Sequence, residues 1–213
     1  MATFAIGDVH GMMAKLDALL DKISFSPTRD RLVFLGDLID RGPQSREVVE
    51  RVLALKEYMG ERLICLRGNH EEMLLNALDD KGRESLVVWL ENGGAATMKS
   101  YGVDIPAKLP PAHRQFFRSL PLWWEDEDHL YVHADVEPDL QPWEMSEETL
   151  LWGRGMNEHT LSGKIVVCGH TPQAHRVLRK EWTCCIDTGA CYSHPGMGLL
   201  TAMKMSTHEI YQV

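Results

Sequence analysis

The chain has no long apolar run, no excess of positive charge and no paired-cysteine pattern, and each absence excludes a class of protein. No stretch of its 213 residues approaches the ~18 consecutive apolar positions of a membrane span. Residues 1–6 carry no basic side chain and run straight into Gly7-Asp8, so no signal peptide is expected and a cytoplasmic location is. The 22 basic residues are outnumbered by 31 acidic ones, and a net charge of −9 argues against a nucleic-acid or anionic-membrane binder. The five cysteines are odd in number and form no C-x-x-C, which suits free thiols in a reducing compartment. What remains is ordinary: 44% hydrophobic and 25% charged residues predict one globular domain over residues 1–213.

Three times in the first 80 residues an apolar run meets a polar loop and then a helical pattern. Residues 2–6, 31–35 and 63–66 read as strands. Met12, Leu16, Leu19, Leu20 and Ile23 recur at helical spacing, as do Val48, Val49, Val52, Leu53 and Met59, and then Met73, Leu74, Ala77 and Leu78. A βαβαβ order implies a parallel layer with ligand sites at the carboxyl ends of its strands. Residues 82–120 read as helices and turns. Residues 130–132, 164–168, 177–179, 183–186 and 198–203 read as short strands of a second, mainly β layer packed on the first. The fold class expected is α/β (α+β).

The polar residues collect where those strands end: Gly7-Asp8-Val9-His10-Gly11, Gly36-Asp37-Leu38-Ile39-Asp40-Arg41-Gly42, Gly68-Asn69-His70-Glu71, and later His133 and His170. Asp8 and His10, two apart, would project to one side of an extended segment. With Asp37 they make an oxygen and nitrogen site for a divalent metal. Asp37 could bridge to a second metal completed by Asn69, His133 and His170, and two such metals clamp a phosphoryl oxygen. Ligation without thiolates favours manganese, with iron, zinc, cobalt or nickel as alternatives.

The G-D-x-H-G, G-D-x-x-D-R-G and G-N-H-E signatures resemble those of the calcineurin-like metallophosphoesterases, within them the phosphoprotein phosphatase family and its bacterial and phage lambda-type branch. The resemblance extends to Trp89-Leu90-Glu91-Asn92-Gly93-Gly94, His133-Ala134-Asp135, Leu151-Trp152-Gly153-Arg154, Gly169-His170-Thr171-Pro172 and Ile186-Asp187-Thr188-Gly189-Ala190. It implies two mixed β-sheets flanked by helices. It also implies Asp8, His10 and Asp37 on one metal, and Asp37, Asn69, His133 and His170 on the other.

Arg41 and Arg154 are candidate phosphate clamps, because a guanidinium fork matches phosphate oxygens, with Asn69 also at the phosphate. Arg67 reads as structural. His70 is the candidate general acid and Asp40 the carboxylate that orients it. The resemblance implies direct attack by a metal-bridging hydroxide, and no Cys-x5-Arg loop points to a covalent route. The expected reaction is hydrolysis of phosphomonoesters as a Ser/Thr-type protein phosphatase, on a phosphorylated protein or a small phosphoester. The alternative is a symmetrical dinucleoside tetraphosphate hydrolase, for which no nucleoside-binding element is identifiable in the sequence. His113, His129, His159, His175, His194 and His208 are expected to be solvated or at the core edge, and Glu125-Asp126-Glu127-Asp128 to be a solvated acidic loop.

Overall fold

The computed structural model describes residues 1–79, 83–155, 160–174 and 176–213; His159 and His175 lie outside the described residues. Its first half is the expected βαβαβ unit. Strands β1 (Thr3–Ile6), β2 (Arg31–Phe34) and β3 (Leu63–Cys65) pair in parallel, β1 with β2 and β2 with β3. Helices α1 (Met13–Ile23) and α2 (Ser45–Met59) make the crossovers, and α3 (Asn69–Leu78) follows β3. The apolar positions of α1 predicted to face the core, Leu16, Leu19, Leu20 and Ile23, are all buried.

The middle is helical as expected: α4 (Arg83–Trp89), a π-helical turn at Leu90–Gly94, α5 (Ala95–Tyr101) and α6 (Pro111–Ser119). The second half supplies β4 (Trp123–Glu125), β5 (His129–Val132), α7 (Glu147–Trp152), β6 (Ile165–Cys168), β7 (Leu178–Arg179), β8 (Thr183–Cys185), β9 (Thr201–Lys204) and β10 (Glu209–Gln212).

The two sheets divide these strands differently from the reading of the sequence. The second half does not form one layer of its own. β9 runs antiparallel to β1 and carries β10 on its far side, so the first sheet is ordered β10-β9-β1-β2-β3. The second sheet is ordered β4-β5-β6-β8-β7, with β5, β6 and β8 parallel and the two edge strands antiparallel. β4 and β10 were not foreseen. β10 is exposed or half-buried along its length, so it carries no apolar run.

Strand alternation sorts the core. Phe4, Ile6, Leu32 and Phe34 face α1 and α2, while Ala5, Val33 and Leu35 between them face the second sheet. There they meet Tyr131, Val167, Cys184 and Ile186. On the outer face of the second sheet, Leu130, Val132, Val166 and Cys168 pack with Leu150 of α7. The architecture is two mixed sheets face to face, with helices outside, the α/β class expected. Six parallel strands, β1, β2, β3, β5, β6 and β8, run into the loops that begin Gly7, Leu35, Leu66, His133, Gly169 and Ile186. No helix of the described residues is long and apolar enough to cross a membrane.

Candidate metal and catalytic centre

The loops at those strand ends are stitched to each other. The backbone N–H groups of Val9 and His10 donate to the Asp37 carbonyl at 3.1 and 2.8 Å, and Gly169 N–H donates to the His133 carbonyl at 2.9 Å. The turns are tight enough to place His10, Asp37, Asp40, Arg41 and His170 at positive φ, between 46° and 71°. Non-glycine residues there cost of order 1–3 kcal/mol each and persist only where the surroundings impose them. The positive φ of His10 also means that the segment after Asp8 is not extended, contrary to the reading from its two-residue spacing.

Asp8, His10, Asp37, Asn69, His133 and His170 are brought together and all are buried. Ligand atoms within 4.8 Å of one another form two groups, His10–Asp37–His70 and Asp8–Asp37–His133, with Asp37 common to both. The expected trio Asp8–His10–Asp37 is thus divided between the two groups, and His70 stands close enough to join the first. Asp37 Oδ2 is 3.5 Å from His10 Nε2, and Oδ1 is 3.5 Å from His133 Nε2.

The imidazoles are held in the form that donates a lone pair. His10 Nδ1–H donates to the Ile39 carbonyl at 2.9 Å and His133 Nδ1–H to the Leu35 carbonyl at 2.8 Å. Each Nε2 lone pair then faces the cluster, the orientation that a backbone carbonyl imposes on a ligating histidine. Burial lowers the pKa of His10 and of His170 to about 3, and that of His133 below its usual value, so these rings are neutral. His133 Nε2 lies 3.0 Å from Asn69 Oδ1, which is itself 3.2 Å from His170 Nδ1. Among the described residues, the buried Nε2 atoms of His70 and His170 have no hydrogen-bond partner.

Burial pushes the Asp8 carboxyl well above the carboxylate range, with the charges of Asp187 and Asp37 adding to the effect. Asp187 itself, at the end of β8, is pushed up to about 7 by burial. A Cβ on Gly68 would collide with Asp37 Oδ1, and one on Gly169 with Asp8 Oδ1, so both carboxylates can lie where they do only because glycines stand there. The converging lone pairs, the unpartnered Nε2 of His170 and the buried Asp8 and Asp37 carboxylates fit divalent cations, and their oxygen and nitrogen chemistry suits a hard-to-borderline ion.

Beside the cluster, His70 Nδ1–H donates to Asp40 Oδ2 at 2.7 Å, and His70 Nε2 is 4.0 Å from Asp37 Oδ2. Trp89 Nε1–H donates to the same Asp40 oxygen at 2.9 Å, and Thr97 Oγ1–H donates to the other at 2.6 Å. Burial raises the Asp40 pKa above its ordinary value, and the bonds from His70, Thr97 and Trp89 pull against that rise. Burial alone would lower the His70 pKa, but the charges of Asp37 and Asp40 and the bond to Asp40 raise it, so the imidazole keeps a proton.

Arg41 follows directly. Its Nη1–H donates to His10 Nε2 at 2.6 Å, and its guanidinium lies 5.6 Å from the Tyr192 ring centroid. Arg154 is exposed, and its charge acts on His170. Arg67 pairs with Glu72 at 3.1 Å, away from the cluster.

Residues to which the sequence assigned no role complete the support. Glu71 accepts the backbone N–H groups of Asp37 and Gly68 on Oε2, both at 2.9 Å, and that of Leu38 on Oε1 at 2.8 Å. Its signal was the glutamate three positions after the Gly68 cap, which reaches back to that cap's N–H. Trp89 and Thr97, 49 and 57 residues beyond Asp40, carried no local signal for their bonds to it.

The calcineurin-like phosphoesterase family model matches residues 1–174. A symmetrical bis(5′-nucleosyl)-tetraphosphatase of Pseudomonas fluorescens Pf-5 is 43% identical over 75 residues, 35% of this chain and 25% of that protein. The chain thus matches only about a quarter of that relative's length. Such relatives carry the name of the alternative reading and not of the lambda-type branch that the motifs suggested. Among solved structures, a putative diadenosine tetraphosphatase superposes with a TM-score of 0.75 at 20% identity, covering 100% of this chain and 92% of that one. A protein serine/threonine phosphatase from Saccharomyces cerevisiae gives 0.71 at 17% identity, covering 95% and 72%. Both superpositions speak to the fold alone. With a family model matched over most of its length, the chain belongs to the calcineurin-like phosphoesterase family.

Proposed function

We propose that this chain hydrolyses dinucleoside tetraphosphates symmetrically, at the central phosphoanhydride, using two divalent cations. Asp37 would be shared between the cations, with His10 on one side and Asp8, Asn69, His133 and His170 on the other. Bound there, the cations supply Lewis-acid polarisation of phosphoryl oxygens. The residues of the chain do the rest. Arg41 and Arg154 bind and orient non-reacting phosphate oxygens. His70 holds a proton at the edge of the cluster for the departing oxygen, and Asp40 fixes its ring. The observation that carries the reaction class is the Asp40–His70 bond of 2.7 Å, set beside a buried cluster of lone pairs centred on Asp37. The substrate rests on similarity to the tetraphosphatases.

A second reading, a Ser/Thr-type protein phosphatase, has one observation in its favour. A departing nucleotide phosphate is a weak base and gains little from an acid, whereas a seryl or threonyl alkoxide needs one. The guarded proton on His70 serves the alkoxide better. Parallel assays with manganese on diadenosine tetraphosphate, a phosphoserine peptide and glycerol phosphate decide between the two. We expect the highest kcat/KM on the dinucleotide, with ADP as the only nucleotide product; a preference for the peptide overturns the substrate proposed.

A further inference from the structure

The proposed substrate has two bases, and any enzyme that binds it whole must place one on each side of the reacting phosphates. Two aromatic rings adjoin the candidate metal cluster, Tyr192 through Arg41 and Trp152 through His170. From Tyr192 the path runs through Arg41 at 5.6 Å, to His10 Nε2 at 2.6 Å, to Asp37 Oδ2 at 3.5 Å. From the other oxygen of Asp37 it continues to His133 Nε2 at 3.5 Å, to the His170 ring at 5.1 Å and to the Trp152 ring at 6.3 Å. Tyr192 and Trp152 therefore stand at the two ends of this run of contacts, with the Asp37 carboxylate in its middle.

Both rings are set in place by surrounding structure. Tyr192 stacks on His194, with ring planes 28° apart and centroids 6.2 Å apart, in the loop after β8. Lys15 Nζ ties that loop at both ends, donating to the carbonyls of Ala190 and Gly198. The loop turns on Gly189, at φ +69°, where a Cβ would lie 2.9 Å from Tyr192 Cδ2. Trp152 ends α7, which Ser146 caps through its hydroxyl to Thr149 N–H at 3.1 Å. The Ala134 N–H anchors the same helix to the His133 loop, donating to the Leu150 carbonyl at 2.9 Å. Trp152 nonetheless leaves 36% of its surface exposed beside a buried site, and Tyr192 is half-buried. The Arg41 guanidinium lies beside Tyr192, and Arg154 follows Trp152 by two residues in the chain.

We propose that Tyr192 and Trp152 are the two base-stacking platforms of the site, each paired with an arginine, so that each half of a dinucleoside polyphosphate meets one ring and one guanidinium. The assignment rests on the dinucleotide reading above. Base-on-aromatic stacking tolerates any base, because every base has a π-face. The pair thus selects for two nucleosides and not for adenine in particular.

The test compares Tyr192→Leu and Trp152→Leu, which keep apolar bulk and remove the π-face, with Tyr192→Phe and Trp152→Phe, which restore it. The ratio of kcat/KM on diadenosine tetraphosphate to that on inorganic tetraphosphate should fall about tenfold or more in each leucine variant, since one stacked base is worth roughly 5- to 150-fold. It should recover in the phenylalanine variants. Equal losses on both substrates, or none, overturn the assignment. Binding of etheno-ADP to the metal-free chain, followed by fluorescence anisotropy, gives a second measure; it should weaken in the leucine variants, and binding unaffected by either also overturns it. A wild-type chain that ignores the dinucleotide but cleaves phosphomonoesters overturns the substrate reading instead, and the etheno-ADP measurement still decides whether the rings hold a base.

Discussion

Glu71 holds Asp37 by its backbone and not by its side chain: Glu71 Oε2 accepts the Asp37 N–H at 2.9 Å, while the Asp37 carboxylate is left for the cluster. The glutamate is fully buried, and burial with the nearby Asp37 charge raises its pKa to about 7 against the pull of the backbone donors. Glu71→Gln would turn an amide donor toward N–H groups that need an acceptor. Each donor left unpaired costs about 1–3 kcal/mol, so the melting temperature should fall by roughly 2–4 °C per kcal/mol lost. Manganese affinity should fall with it, since the loop bearing Asp37 loses its anchor. An unchanged melting curve would show that the anchor is elsewhere.

Trp89 and His70 should act as a unit. His70→Asn should cut turnover on alkyl phosphates roughly 10²- to 10⁴-fold and cost less where the leaving group is a nucleotide phosphate. Trp89→Phe removes one of three donors to Asp40 and should lower kcat with little change in KM. In the His70→Asn background the same change should cost almost nothing further, because both substitutions disable one function. Additive losses would mean that Trp89 serves the fold and not the acid.

Divalent ions should stabilise the fold as well as activate it. A manganese concentration 100-fold above its dissociation constant should add about 2.7 kcal/mol to unfolding, and chelation should remove the gain. Asp37→Asn takes a shared charge from both halves of the cluster and should abolish most of the shift. Metal analysis of that variant checks the result independently: two full equivalents retained would refute the shared role of Asp37.

Acid unfolding offers a test away from the site. Asp126 lies in the acidic run expected to be a solvated loop, yet its carboxylate accepts Tyr131 O–H at 2.9 Å and His129 N–H at 2.9 Å. Burial raises its pKa, but these bonds outweigh that and hold it below the usual 3.8. A depressed carboxylate stabilises the fold above its unfolded pKa, and the contribution is lost as pH falls through the folded value. Asp126→Asn should therefore lower stability at neutral pH and flatten its decline below about pH 4. An acid limb parallel to that of the wild type would assign the decline to other carboxylates.

The residues at the strand ends were legible because a buried strand leaves no other reason for Asp8, Asp37, Asn69, His133 and His170 to follow an apolar run. The parallel half of the first sheet was legible from the alternation of strand and helix periods. The placement of β9 was not, because an antiparallel return to β1 is a matter of long-range pairing that no local pattern encodes. Asp187 carried the same strand-end signal as the others and lay in a quoted motif, yet the sequence assigned it no place beside Asp8, because the pairing of β8 with β6 is long-range and no local pattern encodes it. Trp89 and Thr97 reach Asp40 from helices that follow β3, across a distance in sequence that no spacing rule covers.

The left-handed backbone at His10, Asp37, Asp40, Arg41 and His170 has a consequence for anyone who would engineer this chain. These are positions where glycine would relax the backbone, and where a selection for heat resistance would reward it. Each such gain would delete a side chain from the centre, so thermal selection and catalytic selection would pull on the same five codons in opposite directions. A library aimed at robustness should leave those codons invariant and seek its gains on the outer helices.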